Sequence, residues 1–188
     1  MGILARETLE NMGFAALGAN LMISSLASFH NCAAISLGSN VRIDDFCILS
    51  AGRGGIDIGN HVHIAAYSSL IGAGRITLSD FCNLSSRVSV YSSTDDYSGE
   101  FMTNPTVAAE FTGVRHADVF FGQHVIIGCG STTLPGVRLD EGVAVGALSL
   151  VNTSCPAFGI YSGIPARRIK ERQRDLLDKA RLFLESKG

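Results

Sequence analysis

A period of six governs the stretch from Val125 to Val151, VIIGCGSTTLPGVRLDEGVAVGALSLV, and few folds tolerate such a period. Ile127, Thr133, Leu139, Val145 and Val151 stand six residues apart, and the residues two places before them are the small Val125, Ser131, Val137, Val143 and Ser149. Neither an amphipathic helix nor a simple alternating strand repeats every six residues. A parallel β-helix of hexapeptides does. Each step is then a short strand that turns one large and one small side chain inward, followed by a corner. Gly128 and Gly146, directly after ladder residues, are read as corner glycines that accept unusual backbone angles. Three steps close one triangular coil, and each coil is the template for the next.

The ladder extends through most of the chain. Leu17, Ile23 and Phe29 form a ragged first coil. Leu37, Ile43 and Leu49 form a second, and Ile58, Ile64 and Leu70 a third. Leu78, Leu84 and Val90 form a fourth, Phe121, Ile127 and Thr133 a fifth, and Leu139, Val145 and Val151 a sixth. The small column takes in Val41, Cys47, Val62, Ser68, Gly74, Cys82, Val88 and Thr94. Successive coils start 20, 21, 20, 43 and 18 residues apart. The long interval implies an inserted loop over about 92–118, SSTDDYSGEFMTNPTVAAEFTGVRHAD being its core. Such an excursion from a regular array carries function more often than structure. The reading is all-β: a parallel β-helix of about six coils, at about 17–94 and 119–153, in one domain spanning 1–188. Met1 to Gly13 is a short leader with room for a helical turn or two. After Val151 a segment punctuated by Pro156, Gly159, Gly163 and Pro165 is extended or turning. Ile169, Leu176, Leu177, Ala180, Phe183 and Leu184 then repeat at helical spacing, which predicts a helix over about 168–185. Its expected job is to cap the open end of the stack.

Composition bears on partners and compartment. A net charge of −2 gives no basic surface for nucleic acid or an anionic membrane. Phe14 to Phe29 is apolar but broken by Gly18, Asn20 and several serines, so it reads as β-helix and not as signal peptide or membrane span. The five cysteines include no CxxC pair, and unpaired thiols suit a cytoplasmic location. Cys47 and Cys82, in the small inward column, read as inert core residues. Turnover is expected to survive Cys82→Ala.

IIGCGSTTLPGV, VAVGALSLV and SGIPARRIK, in this order and spacing, resemble the hexapeptide-repeat acyltransferases. RIDDF, HIAAYSSL and YSSTDDYSGEFMTNP look most like the branch that decorates bacterial surface polysaccharides, close to galactoside, maltose and lipopolysaccharide O-acetyltransferases. The resemblance implies a left-handed coil, which periodicity alone does not give. It also implies a homotrimer, with acetyl-CoA as acyl donor lying in a groove between subunits and a sugar or glycan precursor as acceptor. Carried over by position, Cys129, Ala147, Ser149 and Asn152 would contact the pantetheine arm. Arg167, Arg168 and Lys170, after the GIPA turn, would face the anionic phosphates. No metal is implied.

The resemblance also exposes a departure. O-acetyl transfer needs a base for the sugar hydroxyl, and sugar acetyltransferases of this fold supply a His followed by Pro at the start of the long loop. Here Asp95 and Asp96 stand there. Either aspartate could serve, or His116 or His63 could reach the same groove, or transfer could be lost. Asp96, Tyr97 and Tyr67 are candidates for contacting the sugar. His61 and His124 read as solvent-facing corner residues, and Asn104-Pro105 as a turn device. The leading expectation is direct O-acetyl transfer to a sugar. N-acetylation of a nucleotide-linked amino sugar is the alternative, because an amine in its free-base form needs a weaker base. A zinc enzyme using His61, His63 and His116 or His124, and a non-catalytic scaffold, are the remaining readings.

Overall fold

The structure, a computed structural model, describes residues 2–186. Three parallel sheets form the sides of a prism. The first face stacks Ala16–Leu17, Ile35–Leu37, Ile56–Ile58, Ile76–Leu78, Val119–Phe121 and Arg138–Leu139. The second stacks Met22–Ile23, Arg42–Ile43, His63–Ile64, Asn83–Leu84, Ile126–Ile127 and Ala144–Val145. The third runs from Ser28–His30 through Ile48–Ala51, Ser69–Gly72, Ser89–Tyr91 and Thr132–Thr133 to Leu150–Val151. The register follows the six-spaced ladder, with Leu37 beside Ile58, Ile43 beside Ile64 and Val90 beside Thr133. About seven turns result, because a partial turn follows the sixth coil. Cys155 bridges to Leu139, and Gly159–Gly163 pairs in parallel with Ala144–Val145.

Alternation within each short strand puts the ladder residue inside. Ile43, Ile64, Leu84 and Ile127 are fully buried, as are the small-column residues Val41, Cys47, Ser68, Val88 and Ser131. Thr94 departs from that column: it has left the prism on the inserted loop, and Ser92 is the buried residue, donating its hydroxyl to the Gly74 carbonyl at 2.7 Å. Thr133 is buried with a hydroxyl that has no hydrogen-bond partner among the described residues. A buried hydroxyl without a partner costs about 1–3 kcal/mol. Thr133→Val keeps the shape and removes that cost, so its thermal midpoint is expected to rise in a melt monitored by circular dichroism.

The corners differ from expectation. Left-handed backbone is taken by Asn40, His61, Phe81 and His124 at one corner, and by Phe46, Tyr67, Arg87, Gly130 and Leu148 at the next. Gly128 is glycine for another reason: a Cβ there would lie 2.4 Å from the Ala147 backbone nitrogen. Close approach of successive coils, not dihedral freedom, excludes a side chain. His61 and His124 are not merely solvent-facing, since their rings sandwich Phe81 at centroid distances of 5.1 and 4.9 Å.

The N-terminal leader forms the short helix expected of it, whereas the C-terminal segment departs from expectation. The N-terminal helix α1 (Arg6–Asn11) buries Leu9, and with Leu4, Met12 and Phe14 it covers the core at the first coil. The C-terminal helix α2 begins at Asp175 and runs to Glu185, so the expected start at 168 is corrected. Ala166–Glu171 is instead a strand, folded back antiparallel on Gly159–Gly163. Gly163 at φ 106° and Pro165 turn the chain there, and the unpaired sheet edge takes the returning strand. Arg172 ties this hairpin down by donating to the carbonyls of His124 and Gly142 at 2.8 and 3.1 Å. Helix α2 lies along the ring corner, with Phe183 edge-on to His61 and Phe81, and does not cap an end.

Candidate active site

The inserted loop leaves the prism as Ser93–Thr94 and returns as Arg115–His116, and these strands pair antiparallel as a neck. Asp95 follows the neck directly and is exposed. Its carboxylate makes no hydrogen bond or ion pair within the described protein, where its only bond is Thr94 Oγ1 donating to the Asp95 backbone carbonyl. Two clefts meet at this residue. One, about 520 Å³, lies inside the loop between Ile71 and Val107, Ala109, Thr112 and Val114. The other, about 260 Å³, lies against the prism between Tyr91, Tyr97, Thr132, Leu134 and Pro135. Ser93 and Thr94 line both.

Asp96 does something different from its neighbour. Its carboxylate accepts bonds from the Ser98 hydroxyl and from the backbone N–H groups of Ser98, Gly99 and Phe101, at 2.8 to 3.3 Å. It organises the loop and has no free acceptor facing either cleft. The Ser98 hydroxyl, followed by these backbone donors, holds its carboxyl below the ordinary carboxylate range. A depressed carboxyl stabilises the folded loop above its unfolded pKa and loses that contribution as pH falls through the folded value. The amides of Gly99 and Phe101 are therefore expected to lose protection relative to their intrinsic exchange rate on acidification, and at neutral pH in Asp96→Asn.

The other candidates fall into two groups. His116 is on the neck, with Nδ1 2.7 Å from the Ser93 hydroxyl, and is exposed. His63 stands on the second face, outward as alternation requires. Its Nε2 is 2.9 Å from Asp44 Oδ2 and its Nδ1 is 3.1 Å from Asn83 Oδ1, so both ring nitrogens are engaged. Burial pushes the Asp44 carboxyl up, but bonds from His63 and Arg42 outweigh it and hold the group below its ordinary value. His63 lines neither cleft beside Asp95. Tyr97 is 91% exposed at the cleft wall. Tyr67 sits on a different corner, stacked on Phe46 at 4.9 Å with Arg87 over its ring at 5.4 Å, so neither ring face is open to a sugar. His61 is stacked on Phe81, and among the described residues no three metal-ligating side chains gather.

The last coils carry the donor candidates. Cys129 and Ala147 are exposed at the corner between the second and third faces, and Asn152 is exposed where the third face ends. Ser149 is turned inward and buried, its hydroxyl donating to Gly146 O and accepting from Gly163 N–H. Between them a shallow cleft is lined by Gly130, Thr132, Leu148, Ser149, Leu150 and Ile164, so Ser149 borders it although its hydroxyl is engaged within the protein. Thr132 joins it to the cleft at Asp95. On the hairpin strand, Arg168 is paired with Glu171, and among the described residues Arg167 reaches only its neighbour's carbonyl and Lys170 has no ion pair. Burial pushes the Cys82 thiol up to about 12, and those of Cys47 and Cys155 to about 11. None of these three is a thiolate near neutrality, which supports the expectation that Cys82→Ala keeps turnover.

No protein-family profile matches the chain. A dTDP-4-amino-4,6-dideoxy-D-glucose acyltransferase of Escherichia coli is 54% identical over 186 residues, 99% of this chain and 97% of the relative. The chain belongs to the hexapeptide-repeat, left-handed β-helix acyltransferases. An Escherichia coli K12 protein named for lipopolysaccharide O-acetyl transfer is 32% identical over 145 residues, 71% of this chain and 67% of its own length. Among solved structures, the Bacillus cereus N-acyltransferase AntD, in complex with dTDP and 3-hydroxybutyryl-CoA, superposes with a TM-score of 0.94. It is 44% identical, covering 98% of this chain and 97% of AntD. Of the two near-complete relatives, AntD is an N-acyltransferase and the Escherichia coli protein is named for an amino sugar, whereas O-acetyl transfer is named only for the more distant relative. Among the described residues no helix is long and apolar enough to cross a membrane.

Proposed function

We propose that this chain transfers an acyl group from a coenzyme A thioester to the amino group of a dTDP-linked 4-amino-4,6-dideoxy sugar. The observation that carries the reading is Asp95, an unpartnered carboxylate at the meeting of two clefts, where O-acetylating members of the fold have a His. A sugar hydroxyl must lose its proton as it attacks, and a carboxylate is a poor base for that step. An amine attacks through its own lone pair. It needs only an acceptor that orients its N–H groups, and Asp95 supplies one. The relatives that cover the whole chain support the same acceptor class.

The reaction then runs in one complex. The amine lone pair adds to the thioester carbonyl carbon, the carbon–sulfur bond breaks, and the electron pair leaves on the coenzyme A sulfur. One amine proton departs and the thiolate gains one, giving amide and free thiol. Direct attack requires no protein nucleophile, in keeping with the raised Cys82 thiol. The donor's pantetheine arm lies along the cleft of Gly130, Leu148, Leu150 and Ile164, passing exposed Cys129 and Ala147, and reaches Asp95 by way of Thr132. Arg167 and Lys170 are the cations free to meet its phosphates, with Arg168 shared with Glu171. His116 and Tyr97 border the acceptor side. The functional unit is a homotrimer, and the exposed corner column of Leu26, Phe46 and Tyr67 is apolar surface suited to contact between copies.

Calorimetric titration tests the donor and acceptor pair. Saturable binding of coenzyme A and of dTDP, each near one per subunit, is expected. Arg167→Ala/Lys170→Ala should weaken coenzyme A by about tenfold or more while leaving dTDP unchanged. Folded protein that binds neither ligand contradicts the reading.

A further inference from the structure

We infer that the apolar chamber inside the inserted loop is an acyl-chain subsite that admits acyl groups larger than acetyl, an inference that rests on the acyl-CoA reading above. The clefts form a connected series. The one on the last coils meets the cleft against the prism at Thr132, and that cleft meets the chamber at Ser93, Thr94 and Asp95. A thioester whose pantetheine follows this track brings its carbonyl to Asp95 and points its acyl chain onward, into the chamber.

The chamber's chemistry suits that occupant. Ile71, Val107, Ala109 and Val114 line it, and no Lys, Arg or His does. Its only charge is Asp95, so a diphosphate would be repelled there and left without a counterion. At about 520 Å³ it exceeds what an acetyl methyl fills. Its walls are also built, not slack. Asn104 Oδ1 accepts from the Thr106 amide and hydroxyl at 3.0 and 2.9 Å, which holds the turn at Pro105. The Thr112 hydroxyl donates to Ala109 O at 3.2 Å, and Met102 N–H to Phe111 O at 3.0 Å. Asp96 holds the loop's first turn. A preformed apolar chamber binds an apolar group without first being ordered.

The test is a series of acetyl-, propionyl-, butyryl- and hexanoyl-CoA, read by calorimetric titration and by thiol release with the amino sugar. Each added methylene that enters the chamber strengthens binding severalfold, so butyryl-CoA should bind about tenfold more tightly than acetyl-CoA. Ala109→Phe, on the exposed rim, fills the chamber and should bring the butyryl-to-acetyl ratio back towards one. Val114→Phe does the same from the segment that returns to the neck and guards against misfolding of either variant. Equal affinity across the series, or a ratio unmoved by both variants in folded protein, overturns the subsite. So does a rise in KM for the amino sugar with an unchanged chain-length profile, which would give the chamber to the acceptor. Failure of the series to bind at all would instead strike the acyl-CoA reading. Chain-length discrimination in binding without turnover would keep the subsite and remove the proposed acceptor.

Discussion

Asp95→Ala is expected to lower kcat/KM for acylation of the amino sugar by about 10²–10³-fold, at the scale of losing the hydrogen-bond acceptor that orients the attacking amine. Steady-state thiol release at saturating acyl-CoA measures it. The residue is exposed and its carboxylate holds nothing among the described residues, so the variant should melt with the parent and bind coenzyme A as the parent does. That separation distinguishes a reacting-site group from a loop organiser. Asp96 is the contrast, because its carboxylate holds four donors of the loop, and its loss should change loop exchange together with activity. Asp95→Asn should fall between parent and Ala, since an amide oxygen still accepts an amine N–H but carries no charge. A loss confined to coenzyme A affinity, with kcat intact, would remove Asp95 from the reacting centre.

The largest expected stability effect is at the middle of the prism. Ile64 is fully buried and stacks in register between Ile43 of the coil before and Leu84 of the coil after. Ile64→Ala removes three carbons and leaves a hole whose walls are backbone ladders, which cannot collapse inward. A loss of about 2–5 kcal/mol follows. For a domain of this size that lowers the thermal midpoint by roughly 10 °C. Calorimetric melts of Ile64→Ala and Thr133→Val should move in opposite directions. A melt of Ile64→Ala that matches the parent would mean the stack tolerates a vacancy its geometry forbids.

Much of the fold was legible because a hexapeptide step is local. Ile43, Ile64 and Leu84 announce their register by spacing alone, and the parallel ladders follow it. What spacing could not give was set by distant partners. Ile169 kept helical spacing with Leu176, yet Ala166–Glu171 became a strand because the edge at Gly159–Gly163 was open to it. Leu148 and Phe46 hold left-handed corners that composition assigns to glycine. Their side chains point to solvent, while the close approach that excludes a Cβ falls at Gly128. At the site, Asp95 was visible from its place at the start of the loop. Thr132, Leu134 and Pro135 were not, because they reach the same cleft from the next coil, where Ser89 pairs with Thr132. His63 was rightly placed outward, but its bonds to Asp44 and Asn83 depend on coils before and after it. The proposal of nitrogen over oxygen leans on the aspartate that stands in place of a His. The sequence showed that departure, and its meaning came from the unpartnered carboxylate and from the relatives.

Acceptor turnover separates nitrogen from oxygen as the acylated atom. Purified protein is given acetyl- or 3-hydroxybutyryl-CoA with dTDP-4-amino-4,6-dideoxyglucose, and separately with the dTDP sugar bearing a hydroxyl at the same carbon. Thiol release and an amide product, stable to hydroxylamine, are expected with the amine alone. Equal or faster acylation of the hydroxyl sugar, giving an ester that hydroxylamine cleaves, would contradict transfer to nitrogen.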